Sequence, residues 1–273
     1  MHESILIYRN HRYLKWSAAL IAVASAVYLF HSPVEKPNGG TWLGYTRGVI
    51  AAGIMVWLTW FGVRKRSYKP GTIKLEDWAS AHVYLGLTLV VIATLHSGFQ
   101  FGVNIHTVLY FLMLIVVVSG IMGLYFYLTC PRLIAQNRRG MTTETMLAQI
   151  ADLDRDLRSQ VMSLDDETAQ AVSDAVQDTR IGGSLWRQLS GSDPDCPTTL
   201  ARQKLETSTE STDQETRRQI LSRLTKKEDL LTRLRRDIQL RSLLQVWLYV
   251  HVPFTLGSMA ALFAHIVTVF YYW

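Results

Sequence analysis

The sequence predicts an all-α fold: an integral membrane helical bundle of five transmembrane helices, with a cytoplasmic helical hairpin inserted before the last. Three observations predict it. Hydrophobic residues make up 49% of the 273 residues and gather into five long blocks. Each block approaches the ~20 residues that a helix needs to cross the hydrocarbon core. Lys and Arg cluster at alternate block ends, the pattern that orients membrane proteins.

The first block, about Trp16 to Phe30, follows a basic start of Arg9, Arg12 and Lys15. It imitates a secretory signal peptide, with Ala24-Ser25-Ala26 as a cleavage-like triplet. A retained signal anchor is the preferred reading, because further spans follow. The second block runs from about Tyr45 to Val63 and stops at Arg64-Lys65-Arg66, and the third from about Trp78 to Leu95. The fourth, about Ile105 to Leu128, is expected to stop before Pro131, which lacks the N–H a helix interior uses. The fifth extends from about Leu243 to Trp273. Residues 1–131 thus carry the first four transmembrane helices, 132–242 the insert, and 243–273 the fifth helix, which completes the bundle.

Basic residues in the short loops set the orientation. They mark the N-terminal segment, the loop after helix two (Arg64 to Lys74), the exit from helix four (Arg132, Arg138, Arg139) and the entry to helix five (Arg233, Arg235, Arg236, Arg241). The loop from His31 to Gly44 has only Lys36, and the turn from Ser97 to Asn104 has none. The expectation is a multi-pass protein of a bacterial-type inner (plasma) membrane, N-terminus cytoplasmic and C-terminus outside. Trp42, Trp78, Tyr271, Tyr272 and Trp273 suit the aromatic belts at the interfaces.

In the insert, Met141 to Asp178 reads as helix and Leu200 to Leu240 as a second helix. Gly and Pro make Ile181 to Thr198 a loop. Nothing breaks the pattern between Leu231 and Val250, so the second helix is expected to run into the fifth span. The hairpin is read either as a structural stalk or as a docking platform for partners. It carries no phosphate loop, dinucleotide motif or metal cluster.

The formal charge of +6 follows the ends of the apolar blocks, where Lys and Arg meet anionic lipid headgroups. No basic face interleaved with aromatics is present, so nucleic acid is not expected as a partner. The two cysteines, Cys130 and Cys196, belong to no CxxC or CxxCH motif. Covalent c-type haem, thiolate zinc and iron–sulfur clusters are therefore not expected.

Four histidines lie inside spans: His82 and His96 on the third, His251 and His265 on the fifth. Both pairs read His-x13-His. At 100° and 1.5 Å per residue, such a pair differs by ~40° around the helix and ~21 Å along it. Each helix thus offers two imidazoles on one face, one towards each membrane surface. Ionisable residues within a span are costly and usually functional. Two facing helices can clamp a porphyrin, since haem iron takes axial ligands from both sides of the ring. The charge rule makes the two helices parallel, so His82 pairs with His251 on the cytoplasmic side and His96 with His265 on the outer side. Zinc wants its ligands gathered at one point, which pairs ~21 Å apart do not provide.

Further residues are candidates around these ligands. Gly86 and Gly257 lack side chains and allow a flat macrocycle to approach, although glycine is also common in membrane helices for packing. Arg47 is a candidate partner for an outer haem propionate and Arg241 for an inner one. His106 opens helix four. It could bond a propionate or a quinone, replace His96 as ligand, or be an ordinary interface residue.

The doubled His-x13-His on two membrane helices resembles the di-haem cytochrome b architecture of cytochrome bc complexes and of ferric-reductase-like and cytochrome b561-like membrane domains. The resemblance covers the five spans. A bc-type cytochrome b has more spans and a Pro-Glu-Trp-Tyr motif that this chain lacks. Ferric reductases usually add a flavin and nicotinamide domain, which is not read here. The resemblance implies two noncovalent b-type haems, with quinone as a further ligand inferred from the class. It implies transmembrane electron transfer as the cytochrome b subunit of a redox complex, linking the quinone pool to a redox partner protein. Two alternatives stay open: a transmembrane metal or quinone reductase fed by a separate flavoprotein, and a haem-free anchor that recruits partners through its insert.

Overall fold

The computed structural model describes residues 6–31, 38–66, 74–207 and 214–271. Lys36, Lys69, His2, Tyr272 and Trp273 lie outside them. Among the described residues the regular structure is all helical, with five helices long and apolar enough to cross a membrane. They are α1 (Tyr8–Phe30), α2 (Trp42–Arg66), α3 (Leu75–Ser97), α4 (Ile105–Arg138) and α9 (Gln214–Tyr271). Between α4 and α9 come α5 (Thr143–Gln160), a 3-10 turn (Val161–Ser163), α6 (Asp166–Gln177), α7 (Leu185–Ser190) and α8 (Pro197–Thr207). The chain divides into two compact units, Met1–Leu124 with Trp247–Trp273, and Tyr125–Val246.

In the first unit, all five long helices contribute to one apolar cluster. It centres on Ala51, Met55, Leu89, Ile92, Met113 and Leu262, with Leu20 and Ala24 against it. Leu89 and Ile92 stand between His82 and His96 on α3. The outer surface is also apolar: Phe30 is 88% exposed, and Val49, Phe263 and Phe270 are exposed as well. A soluble domain would bury such side chains, whereas lipid solvates them. This is a multi-pass membrane protein.

Local chemistry sets the helix ends. Glu76 and Asp77 complement the N-terminal dipole of α3, and Gly98 ends it in the left-handed conformation (φ 59°). The α1 helix begins with a left-handed stretch at Arg9, Asn10 and His11 before the regular span. It runs parallel to α3: Tyr8 and Tyr13 donate to Asp77 at one end, and Tyr28 meets Phe99 at the other.

Three expectations need correction. The fourth span does not stop before Pro131, for α4 continues through it to Arg138. A proline removes one N–H from the helix ladder, and bonds to α9 hold the extension. Asn137 Nδ2 donates to the Arg233 carbonyl at 2.8 Å, and Arg138 Nε donates to Asp237 at 2.7 Å. The helix expected from Met141 to Asp178 is broken at Leu164. Asp165 caps a new start by accepting from the Thr168 N–H at 3.0 Å, because a short acidic side chain there outcompetes continuation. The loop expected from Ile181 to Thr198 contains α7, capped by Ser184 and ended by Gly191 at φ 66°. The hairpin is thus more finely divided than its outline.

The second unit is built on two Leu-rich clusters. One joins Met146, Ile150 and Leu153 of α5 to Leu230, Leu231 and Leu234 of α9. The other joins Leu157, Val172, Leu205, Ile220 and Leu224. Lys227 is 1% exposed, and its Nζ donates to Asp154 at 2.5 Å and to the Ala175 carbonyl at 2.6 Å.

Candidate functional site

The four intramembrane histidines fall in the first unit at two levels. At one level, the His96 and His265 ring centres are 6.1 Å apart with planes at 86°. At the other stand His82 and His251, each 14 residues earlier on its helix. Two imidazoles bonded from opposite sides to one metal, through bonds of about 2 Å, would have ring centres about 6 Å apart. The His96–His265 separation fits that requirement.

A metal-bound imidazole uses one nitrogen and is oriented through the other. His96 Nδ1 lies 2.8 Å from the Gly44 carbonyl of α2, so its proton belongs on Nδ1 and leaves Nε2 as the lone-pair nitrogen. His251 Nδ1 lies 2.7 Å from Ser119 Oγ of α4. His265 Nδ1 hydrogen-bonds His106 Nδ1, also of α4. Three of the four histidines therefore have Nδ1 engaged. His82 Nδ1 is buried without a hydrogen bond of good geometry, the Leu58 carbonyl lies beside the imidazole, and the ring packs on Phe61 with centroids 4.9 Å apart.

Glycines bring the helices close to these rings. A Cβ on Gly48 would stand 2.8 Å from His96 Cε1, and one on Gly123 would collide with the Trp247 indole. That indole donates to the Ser119 carbonyl at 2.7 Å. A Cβ on Gly86 or Gly257 would meet no other residue within 4 Å; Gly86 is half-buried, and Gly257 is exposed on the outside of the unit.

Arg47 is 5% exposed within the apolar unit. Its guanidinium lies over the Tyr28 ring, 5.1 Å from the centroid, and its buried Nη2 has no hydrogen-bond partner. Its charge reaches His96. A buried cation with an unused donor suits an anionic group at the His96 level. Lys65 stands exposed near the end of α2, one turn beyond Phe61, whose ring packs on His82. Arg241 belongs to the second unit, where it is exposed and lies 3.9 Å from Asp237. Residues that sequence reasoning missed are Ser119, Gly44, Gly48, Trp247 and Lys65. Only Lys65 carries a signal that could have found it, its charge at a span end.

Among the described residues no group of three or more His, Cys, Asp or Glu side chains is arranged to hold a metal ion. Comparison of the chain with known protein families, curated proteins and solved structures gives no match.

Proposed function

We propose that the chain is the cytochrome b subunit of a membrane redox complex, passing electrons across the bilayer between the quinone pool and a partner protein. One observation carries the reading: the His96 ring of α3 and the His265 ring of α9 have centres 6.1 Å apart, and each helix carries a second imidazole 14 residues earlier. Under it, His82 and His251 hold one b-type haem and His96 and His265 the other. Bound haem supplies reversible one-electron chemistry at iron.

The chain's own residues do the rest. The Gly44 carbonyl, Ser119 and His106 fix the rings of His96, His251 and His265 through Nδ1. Fixing the tautomer keeps Nε2 available and raises its basicity. Arg47 neutralises a propionate at the His96 level, and Lys65 does so at the His82 level. Gly86 and Gly257 leave room for the edge of a flat ring. The apolar side chains of Leu89, Ile92 and Leu262 exclude water between the two levels. The basic loops orient the His82 level towards the cytoplasm.

Protein purified after expression with ample haem should show a b-type α band on dithionite reduction, and a pyridine haemochrome equivalent to two haems per chain. Preparations that retain no haem overturn the reading. His96→Ala should remove one haem and spare the other, and loss of neither would sink the ligand assignment.

A further inference from the structure

The second unit contains a short helix whose apolar end is exposed. On α7, Leu185 and Trp186 are exposed, Trp186 to 81%. An exposed tryptophan on so short a helix buries little against its own domain. Its surroundings indicate what covers it.

The opposite end of α7 is fastened to α9. Gln239 Nε2 donates to the Leu189 carbonyl at 2.8 Å, and Ser242 Oγ donates to Gln188 Oε1 at 3.0 Å. Gly191 follows, and a Cβ there would stand 2.6 Å from Gln239 Oε1. These contacts hold α7 beside Gln239 and Ser242. Ser242 immediately precedes Leu243, Leu244, Gln245 and Val246, where α9 turns from charged to apolar, and Leu185 and Trp186 lie within one turn of Gln188. Immediately before that change, α9 carries the exposed Arg236 and Arg241, and α7 adds the exposed Arg187; Arg187 lies 3.8 Å from Asp193 and Arg241 3.9 Å from Asp237, and both guanidinium groups are still about half exposed. An indole beside an apolar edge, flanked by guanidinium groups, has the chemistry of the headgroup layer.

We infer that α7 is an interfacial anchor, with Leu185 and Trp186 inserted among the acyl-chain ends of the bilayer and Arg187, Arg236 and Arg241 facing anionic headgroups. The anchor ties the insert to the membrane surface independently of any haem.

The test uses the full chain in vesicles of phosphatidylcholine and phosphatidylglycerol. A nitroxide is attached at Trp186→Cys, and at Met162→Cys as a control. Met162 is 98% exposed but sits on the 3-10 turn, against the other apolar cluster. Both native cysteines are buried and are spared by brief labelling. The label at 186 should collide several-fold more often with dissolved oxygen than with a water-soluble nickel chelate, and the label at 162 should show the reverse. Water-like exposure at 186 overturns the proposal. So does shielding from both probes, which would mean a protein partner. If the cysteine variant fails to fold, brominated lipids provide a second measurement. They should quench the tryptophan emission of the unaltered protein more than that of Trp186→Phe, and equal quenching overturns the proposal.

Discussion

The two units solve the problem of buried polarity in opposite ways. In Tyr125–Val246 polar groups in the interior find partners: Lys227 with Asp154 and the Ala175 carbonyl, Asp237 with Arg138, and Arg235 with Asp193. Cys196 belongs to the same pattern. Burial alone would push its thiol up, yet hydrogen bonds from Arg235 and from the backbone at Thr199 and Thr198 hold it below the usual range. In the membrane unit, among the described residues, His11, His31, Arg47 and His82 each keep a buried nitrogen without a hydrogen bond of good geometry. Burying such a group in protein alone costs roughly 1–3 kcal/mol. Among the described residues, the second unit leaves no buried side-chain nitrogen or oxygen without a partner, whereas the first has polar capacity left over beside its histidines.

That contrast can be broken or sharpened by substitution. The largest effect is expected in the saturated unit. Lys227→Ala removes one partner of a buried pair and should destabilise the second unit by about 3–5 kcal/mol, read by thermal unfolding. It should leave haem content per folded chain unchanged. Next comes Gly48→Val, whose side chain must displace His96. Overpacking of this kind costs about 1–3 kcal/mol, and the low-spin spectrum of one haem should change while the other stays. Arg47→Leu should behave oppositely to Lys227→Ala. Without haem it should unfold no more easily, and by relief of an unpaired donor up to about 1–2 kcal/mol less easily. With haem, retention at the His96 level should weaken. A haem-free protein destabilised by Arg47→Leu would erase the contrast.

The smallest effect is at a cap. Asp165→Ala should slightly lower the unfolding temperature of the second unit. Hydrogen bonds from the Thr168 side chain and backbone hold the Asp165 carboxyl below its ordinary value. A folded value below the unfolded one means that the cap stabilises fully above the unfolded value and loses that contribution as pH falls through the folded one. The difference between wild type and Asp165→Ala should therefore shrink on acidification below about pH 4, followed by circular dichroism.

The five spans were legible because the apolar runs that make them are local, and the histidine spacing because helical geometry is regular. What escaped depends on tertiary partners. Pro131 reads as a stop until Arg138 is seen bonded to Asp237, far along the chain. Ser119 is a single hydroxyl in an apolar helix, and only the position of His251 gives it a task. The Gly44 carbonyl has no signature at all, since every residue carries one. Arg47 was picked for lying at a span end. Its burial over Tyr28 separates it from Arg241, which is exposed in the other unit.

The glycines of the membrane unit carry a consequence for how this sequence can drift. Gly48 and Gly123 are crowded by His96 and Trp247, so descendants of this chain should keep them for reasons of packing alone. Gly53 and Gly62 meet nothing within 4 Å and should wander to alanine and serine. Gly86 and Gly257 are equally uncrowded by protein. Were a future alignment to hold those two as constant as Gly48, the selective pressure would have come from something other than polypeptide in the space beside them.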